Sequence, residues 1–275
     1  MTNASSLNSV STNADNGAAN SAANTAAGNS TNPVDLPTTR HTFFQNSLMS
    51  ALLDGIYDGE MNVGEILGHG NFGNGTFDGL DGEMIIIDGV CWQVRSDGSA
   101  ERASMDQRSP YTVVTNFVPH IVRQAPKDIT RAELSPVIDQ MLPSQNFMYA
   151  LRISGEFEWV KTRTVVKQQR PYPKMVEATE ADGSVDFENV KGTIAGFRTP
   201  VYEKGISVPG CHVHFLAEGG QGGGHVLDFK VKHATIELCP GTDLQLRLPL
   251  TAEFSDADLA PDDLDAQIHA TEIKG

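Results

Sequence analysis

The chain has 275 residues, 35 of them acidic and 20 basic, for a formal net charge of −15. That balance excludes a nucleic-acid surface, which needs clustered Lys and Arg to displace counterions, and an anionic membrane partner. No run approaches the roughly 18 consecutive apolar residues that a membrane helix requires.

A negative surface does not draw in anionic substrates, so any such substrate needs a locally positive site, a metal ion or a buried Arg. Cys91, Cys211 and Cys239 are an odd number spread along the chain, which reads as reduced thiols rather than a disulfide framework. Residues 1–39 hold no Lys or Arg and are dominated by Asn, Ala, Ser and Thr. They lack the basic start and apolar stretch of a secretory signal, and they cannot bury enough apolar surface to offset their ordering entropy. A disordered tail and a cytoplasmic protein are expected.

Thr42 and Gln45 have capping-box spacing, and Phe44, Leu48 and Leu52 recur every four residues. This pattern predicts a helix of about three turns, closed by Gly55 in a left-handed cap. From Asp54 to Gly89 the chain is dense in glycine, which implies tight turns and close backbone approach. Glu83 to Val94 reads as two strands joined at Asp88-Gly89, and another strand lies around Tyr111–Val118. Ser135-Pro136 is expected to start a short helix, with Ser as cap and Pro at the first position.

From Leu151 the period becomes two: Leu151, Ile153, Phe157 and Trp159 share one face, while Arg152, Ser154, Glu156 and Glu158 share the other. Strand-like runs follow at 189–198, 211–217, 225–239 and 244–250. Pro261–Ala270 reads as helix, with Asp262, Asp263 and Asp265 where the helix dipole favours anions. The sum is an α+β fold. Residues 40–150 form an N-terminal part mixing helices and sheet, and 151–275 form a β-rich, mostly antiparallel part.

The segment Cys211-His-Val-His-Phe-Leu-Ala-Glu-Gly-Gly-Gln-Gly-Gly-Gly-His225 is the most informative. Residues two apart in a strand share a face, so His212 and His214 present two imidazoles side by side. The glycine run 219–224 turns the chain, and His225 opens a return strand on which it shares a face with Leu227, Phe229 and Val231. Neutral imidazole suits zinc, and three protein ligands leave a coordination position open, as catalytic sites do. On pattern alone, a pair of core histidines competes evenly with a metal site. His41, His69, His120, His233 and His269 lack such company and read as surface or core residues. Arg163 continues the odd-numbered register from Leu151, so it points inward if the strand runs unbroken, where it wants a carboxylate or an anion. A structural ion pair is the plain alternative for Arg163, as it is for Glu83.

Several ordered motifs together carry a resemblance. Leu52-Leu-Asp-Gly-Ile-Tyr-Asp-Gly-Glu60, Gly75-Thr-Phe-Asp-Gly-Leu-Asp-Gly-Glu83, Lys161-Thr-Arg163, Gln169-Arg-Pro-Tyr172 and the spacing of the three histidines resemble the alpha-acetolactate decarboxylase family over residues 42–273. The resemblance implies zinc held by His212, His214 and His225, catalytic residues Glu83, Arg163 and Glu272, and Thr76 lining the site. It also implies a curved C-terminal sheet, a homodimer, and a small 2-hydroxy-3-oxo acid, (S)-2-acetolactate, as substrate.

Two rival readings follow from the same residues. A cupin metalloenzyme would use His212, His214 and Glu218, but the glycine expected before the first His is one residue out at Gly205, and no second cupin motif follows His225. A non-enzymatic β domain with a structural metal would need a fourth ligand. Cys211 is the neighbouring candidate, on the opposite strand face.

Overall fold

Short apolar runs punctuated by glycine dominate the first third of the chain, and they assemble into one sheet rather than into long helices. The computed structural model describes residue 37 and residues 39–181 and 183–273, within a unit spanning 35–275. The tail expected over 1–39 falls almost wholly outside those residues. Strands β1 (Thr42–Asn46), β3 (Phe72–Thr76), β4 (Glu83–Ile87), β5 (Val90–Val94), β6 (Ala100–Arg102), β8 (Thr112–Thr115) and β15 (Asp243–Arg247) form a seven-stranded sheet in the order β15-β1-β8-β3-β4-β5-β6. It is mixed, because β1 and β15 run parallel and the other pairs antiparallel. The β4–β5 turn has positive φ at both Asp88 (50°) and Gly89 (78°), the backbone that a two-residue hairpin requires. Strands β2 (Met61–Asn62) and β7 (Arg108–Ser109) pair separately beside helix α2 (Val63–Leu67).

A second, antiparallel sheet has the order β10-β14-β11-β12-β13, with β9 also paired to β14. Its long strands are β11 (Met148–Thr164), β12 (Gly183–Thr199) and β14 (Gly223–Gly241), beside β13 (Gly210–Ala217), β9 (Ile121–Gln124) and β10 (Ile129–Thr130). Thus β15 joins the first sheet, and β9 and β10 join the second, so residues before and after 150 interleave. Helix α3 (Arg131–Met141) covers one face of the second sheet through Leu134 and Ile138. The short helices α1 (Met49–Leu53), α4 (Met175–Ala178), α5 (Ala252–Asp256) and α6 (Leu264–Ile268) complete the fold.

Two of the helix expectations fail. Thr42–Asn46 is a strand, not the first turn of a helix, and helix is confined to Met49–Leu53. The buried Gln45 and Asn46 are satisfied by distant carbonyls, Ile206 for Gln45 and Ser109 for Asn46, so tertiary pairing overrides the period-four spacing. Ser47, with φ of 66°, ends the strand, and Gly55 adopts positive φ after α1 as expected. Helix α3 is capped by Thr130 and starts at Arg131, not at Ser135, because Thr130 and Glu133 form a capping box that acts first. Pro136 is left inside the helix.

Three apolar clusters order the layers. One lies between the sheets and includes Phe43, Leu52, Ile85, Tyr111, Ala150, Val165 and Leu216. A second, with Leu151, Ile153, Phe157, Val160, Val213, Phe215, Val226 and Phe229, lies under α3. The third, with Phe44, Met61, Ile66, Met84 and Ile86, covers the outer face of the first sheet.

The β11–β14 pairing contains register shifts between Glu156 and Phe157, Phe157 and Trp159, and Lys161 and Thr162. Each is a bulge: Lys232 and Leu227 are extra on β14, and Glu158 is extra on β11. Beyond a bulge every side chain changes face. Val160, not Trp159, therefore joins Phe157 in the cluster under α3, and Arg163 turns to the face of Ala150 and Val165 between the sheets. Likewise Val226, not His225, shares the face of Phe229 and Val231. The single-face patterns expected from unbroken strands are wrong at both positions, and the bulges are the reason.

Candidate active site

His212 and His214 alternate with Val213 and Phe215 on β13, whose apolar members face the α3 side. The histidines consequently face the space between the sheets. His225 reaches the same space after the Leu227 bulge, and it pairs directly with His214 across β13–β14 and with Arg163 across β11–β14. The ligand atoms of His212, His214 and His225 lie within 4.8 Å of one another, the single such group among the described residues. Gly224, at φ of 148°, lets β14 close in beside Arg163: a Cβ there would lie 2.7 Å from the Arg163 carbonyl oxygen.

Second contacts fix these rings. His214 Nδ1 lies 3.1 Å from the Met84 carbonyl oxygen, so it carries the proton and donates. His214 Nε2 is then a bare lone pair, 3.3 Å from His212 Nε2. Burial lowers all three basicities: His214 to about 4, and His212 and His225 well below the usual imidazole range. The neighbouring histidine adds to this for His212, and the Arg163 charge adds for all three. Neutral imidazoles are the form that binds cations.

Two carboxylates approach the cluster from different elements. Glu272, in the last turn at the C-terminal end, puts Oε2 3.3 Å from His212 Nε2 and 3.9 Å from His225 Nδ1. Glu83, first residue of β4, puts Oε2 3.4 Å from His214 Nε2. Thr76 stands directly opposite Glu83 on β3 and donates its hydroxyl to the Gly82 carbonyl at 2.8 Å. Arg163 donates to the Thr271 carbonyl, which ties the Glu272 segment to β11.

A narrow cavity is lined by Thr76, Glu83, Arg163, His212, His225 and Glu272, with an apolar wall that includes Leu52, Leu80 and Met175. The six polar residues named from the sequence thus line one cavity, and His214 stands beside them in the histidine cluster. Tyr111 also lines it; nothing in the local sequence marks that residue, because its place depends on a distant strand. Glu218, the cupin alternative, is exposed in the turn after β13 and outside this cavity. Cys211 packs on the α3 side, away from the histidines.

The arrangement fits a divalent cation on the chemistry of its donors: three neutral imidazoles, one with its tautomer fixed by a backbone carbonyl, next to two carboxylates. The comparisons agree on what it belongs to. The family model described as alpha-acetolactate decarboxylase matches residues 43–261. The chain is 44% identical over 229 residues to the alpha-acetolactate decarboxylase of Bacillus subtilis strain 168, covering 83% of this chain and 90% of that protein. To the Raoultella terrigena protein of the same name it is 42% identical, with 83% and 88% covered. The crystal structure of the Bacillus subtilis strain 168 enzyme superposes with a TM-score of 0.83 at 43% identity, covering 85% of this chain and all of that one.

Fold, site and relatives define an enzyme of the carboxy-lyase class. The chain belongs to the alpha-acetolactate decarboxylase family.

Proposed function

We propose that this chain converts (S)-2-acetolactate to (R)-acetoin and carbon dioxide, with zinc held by His212, His214 and His225. The observation that carries the reading is the meeting of three neutral imidazoles, two carboxylates and a guanidinium at one small cavity. Three neutral imidazoles whose ligand atoms lie within 4.8 Å of one another, two of them with Nε2 atoms 3.3 Å apart, are a donor set that would hold zinc. Bound zinc supplies a Lewis acid for the ketone and hydroxyl oxygens of the substrate.

The remaining steps belong to the chain. Breaking the bond to carbon dioxide leaves an electron pair that the adjacent ketone takes up as an enediolate. Arg163 orients the substrate's anionic end, since its planar fork matches two oxygens. The reaction consumes one proton, and it must reach one face of the carbon to give a single enantiomer. Glu83 and Glu272 stand on different sides of the cluster and are the groups placed to hand it over. Leu52, Leu80 and Met175 keep competing water from the carbanionic carbon. Thr76, its hydrogen committed to Gly82, turns only lone pairs to the cavity. In this reading residues 151–275 carry the metal, residues 40–150 supply Thr76 and Glu83, and the enzyme works as a cytoplasmic homodimer. Among the described residues no helix is long and apolar enough to cross a membrane.

The test is acetoin production from racemic acetolactate before and after chelation, and after zinc is restored. Half the substrate consumed, activity lost with chelator and regained with zinc is the expected result. Full activity in metal-free protein refutes the zinc assignment, and no acetoin under any condition refutes the reaction.

A further inference from the structure

The bulge that turns His225 toward the cavity sits in a stretch of β14 that no neighbouring strand holds on one side. Strand β11 occupies one edge of β14 from His225 to Gly241. The other edge is paired to β13 from Gly223 to His225, and to β10 at Lys230 and Val231. Residues 226–229 lie between, with no strand paired to that edge among the described residues. Arg131 fills the gap. It follows β10 directly as the first residue of α3, a place where the helix dipole favours anions and disfavours a cation. Its side chain reaches back to β14, where Nη1 donates to the Val226 carbonyl at 3.0 Å and also to the Leu227 carbonyl. The β10 pairing and the Thr130–Glu133 capping box anchor its root.

Those two carbonyls belong to successive residues. In a regular strand successive carbonyls point to opposite edges, so one nitrogen reaches only one of them. They meet the same donor here because Leu227 is the extra residue of the bulge and the chain kinks at it. Arg131 therefore makes two bonds to the bulged backbone and one at most to a straight one, and a group shifts an equilibrium only by such a difference. We infer that Arg131 is a positioning residue for the candidate metal site: by holding both carbonyls it keeps the extra residue at Leu227, and so keeps His225 on the face of His212 and His214. The inference rests on the reading of the three histidines as metal ligands. Without the bulge, His225 and Val226 exchange faces and the imidazole leaves the cluster. Arg131 is not among the residues that line the cavity, so it acts on the ion only through the backbone that carries His225.

The test compares wild type, Arg131→Met, Arg131→Lys and Ile138→Ala by two measurements: zinc affinity from chelator competition, and the visible spectrum of the cobalt(II)-loaded protein. Met keeps the length of the stem and removes every donor; Arg131→Gln, too short to reach both carbonyls, replaces it should that variant not fold. Ile138→Ala loosens α3 from the same sheet without removing a hydrogen bond to β14, so it reports what lost helix packing does alone. Arg131→Met is expected to weaken zinc binding about 10- to 100-fold and to move the cobalt bands, because one imidazole no longer meets the ion as the others do. Arg131→Lys, with three donors on one nitrogen, is expected to recover most of that affinity. Ile138→Ala is expected to lower Tm while keeping the wild-type affinity and spectrum. Wild-type affinity and spectrum in Arg131→Met overturn the inference, as does an equal loss of affinity in Arg131→Lys or in Ile138→Ala. A wild type that takes up neither zinc nor cobalt overturns instead the reading on which it rests, so the two failures are distinguishable.

Discussion

Gly224→Ala probes the physical basis of the site without touching a group that reacts. Gly224 holds φ of 148°, and an added Cβ would lie 2.7 Å from the Arg163 carbonyl oxygen, 2.9 Å from Thr162 Cβ and 2.9 Å from Thr164 Oγ1. Two of those neighbours belong to the β11 backbone or its first side-chain atom and cannot swing away, so β11 and β14 must separate locally. The unfavourable φ costs about 1–3 kcal/mol, and overpacking costs about 1–3 kcal/mol more before relaxation. A net loss of about 2–4 kcal/mol is expected in urea unfolding. The displaced residues are His225, next in sequence, and Arg163, its cross-strand partner. Misplacing reacting groups by an ångström costs about 100-fold in rate, so kcat/KM for acetoin formation should fall by that order, with metal content reduced at equal protein. A variant that is destabilised but turns over at the wild-type rate would show that this close approach supports the fold without placing the site. Wild-type stability and kinetics together would refute the steric argument.

Other perturbations address single parts. His214→Ala should lose about a quarter of the metal-binding free energy, roughly 2.5–4 kcal/mol if about 10–16 kcal/mol is shared over four ligands. Metal analysis after dialysis should then find little ion, and retained stoichiometric metal would contradict the ligand set. Arg163→Lys keeps the charge but loses the fork that reaches both the Thr271 carbonyl and the cavity. A fall in kcat/KM of about 10-fold or more is expected, and unchanged kinetics would remove Arg163 from the mechanism. Burial raises the Glu203 carboxyl to about 7 from an ordinary 4.5, with Tyr202 opposing. The native state therefore holds this proton more tightly than the unfolded chain, so the contribution is complete below about pH 4.5 and is lost as pH rises through about 7. Glu203→Gln should leave stability near pH 4.5 unchanged and raise it at pH 8 by about 1–3 kcal/mol; parallel pH profiles of Tm for the two proteins would refute this.

The parts of the fold legible in the sequence are those set by local chemistry. Asp88-Gly89 needs positive φ at both positions, and the hairpin is where that dipeptide places it. The His-x-His pair and the glycine run before His225 depend only on strand period and a turn, and they lead to the observed cluster. What the sequence hides depends on distant partners. Gln45 and Asn46 look like solvent-facing residues of a helix until Ile206 and Ser109, far along the chain, accept their hydrogen bonds. Tyr111 belongs to the cavity only because strands far along the chain bring Arg163, His212 and His225 to the same wall. Thr130 and Glu133 formed a start signal as good as Ser135-Pro136, and a capping box that satisfies two backbone donors prevails over a lone cap.

The bulges explain how His225 and Arg163 come to face the inter-sheet cavity although the unbroken-strand patterns that pointed to them were wrong. An unbroken β14 would place His225 beside Phe229 and Val231, under α3, where an imidazole has no carboxylate and no cavity. One extra residue, Leu227, exchanges His225 for Val226 on that face and sends the imidazole toward His212 and His214. On β11 the extra Glu158 does the same for Arg163, so that a strand whose first half serves the core under α3 serves the inter-sheet cavity with its second half. Both changes are needed together, because Arg163 and His225 are cross-strand partners and a shift in one strand alone would set them on opposite faces. Period-two patterning cannot reveal this, since a bulged strand and a straight one differ by a single residue whose own side chain is unremarkable. The site is assembled by departures from regular pairing, with His225 and Arg163 standing beyond them.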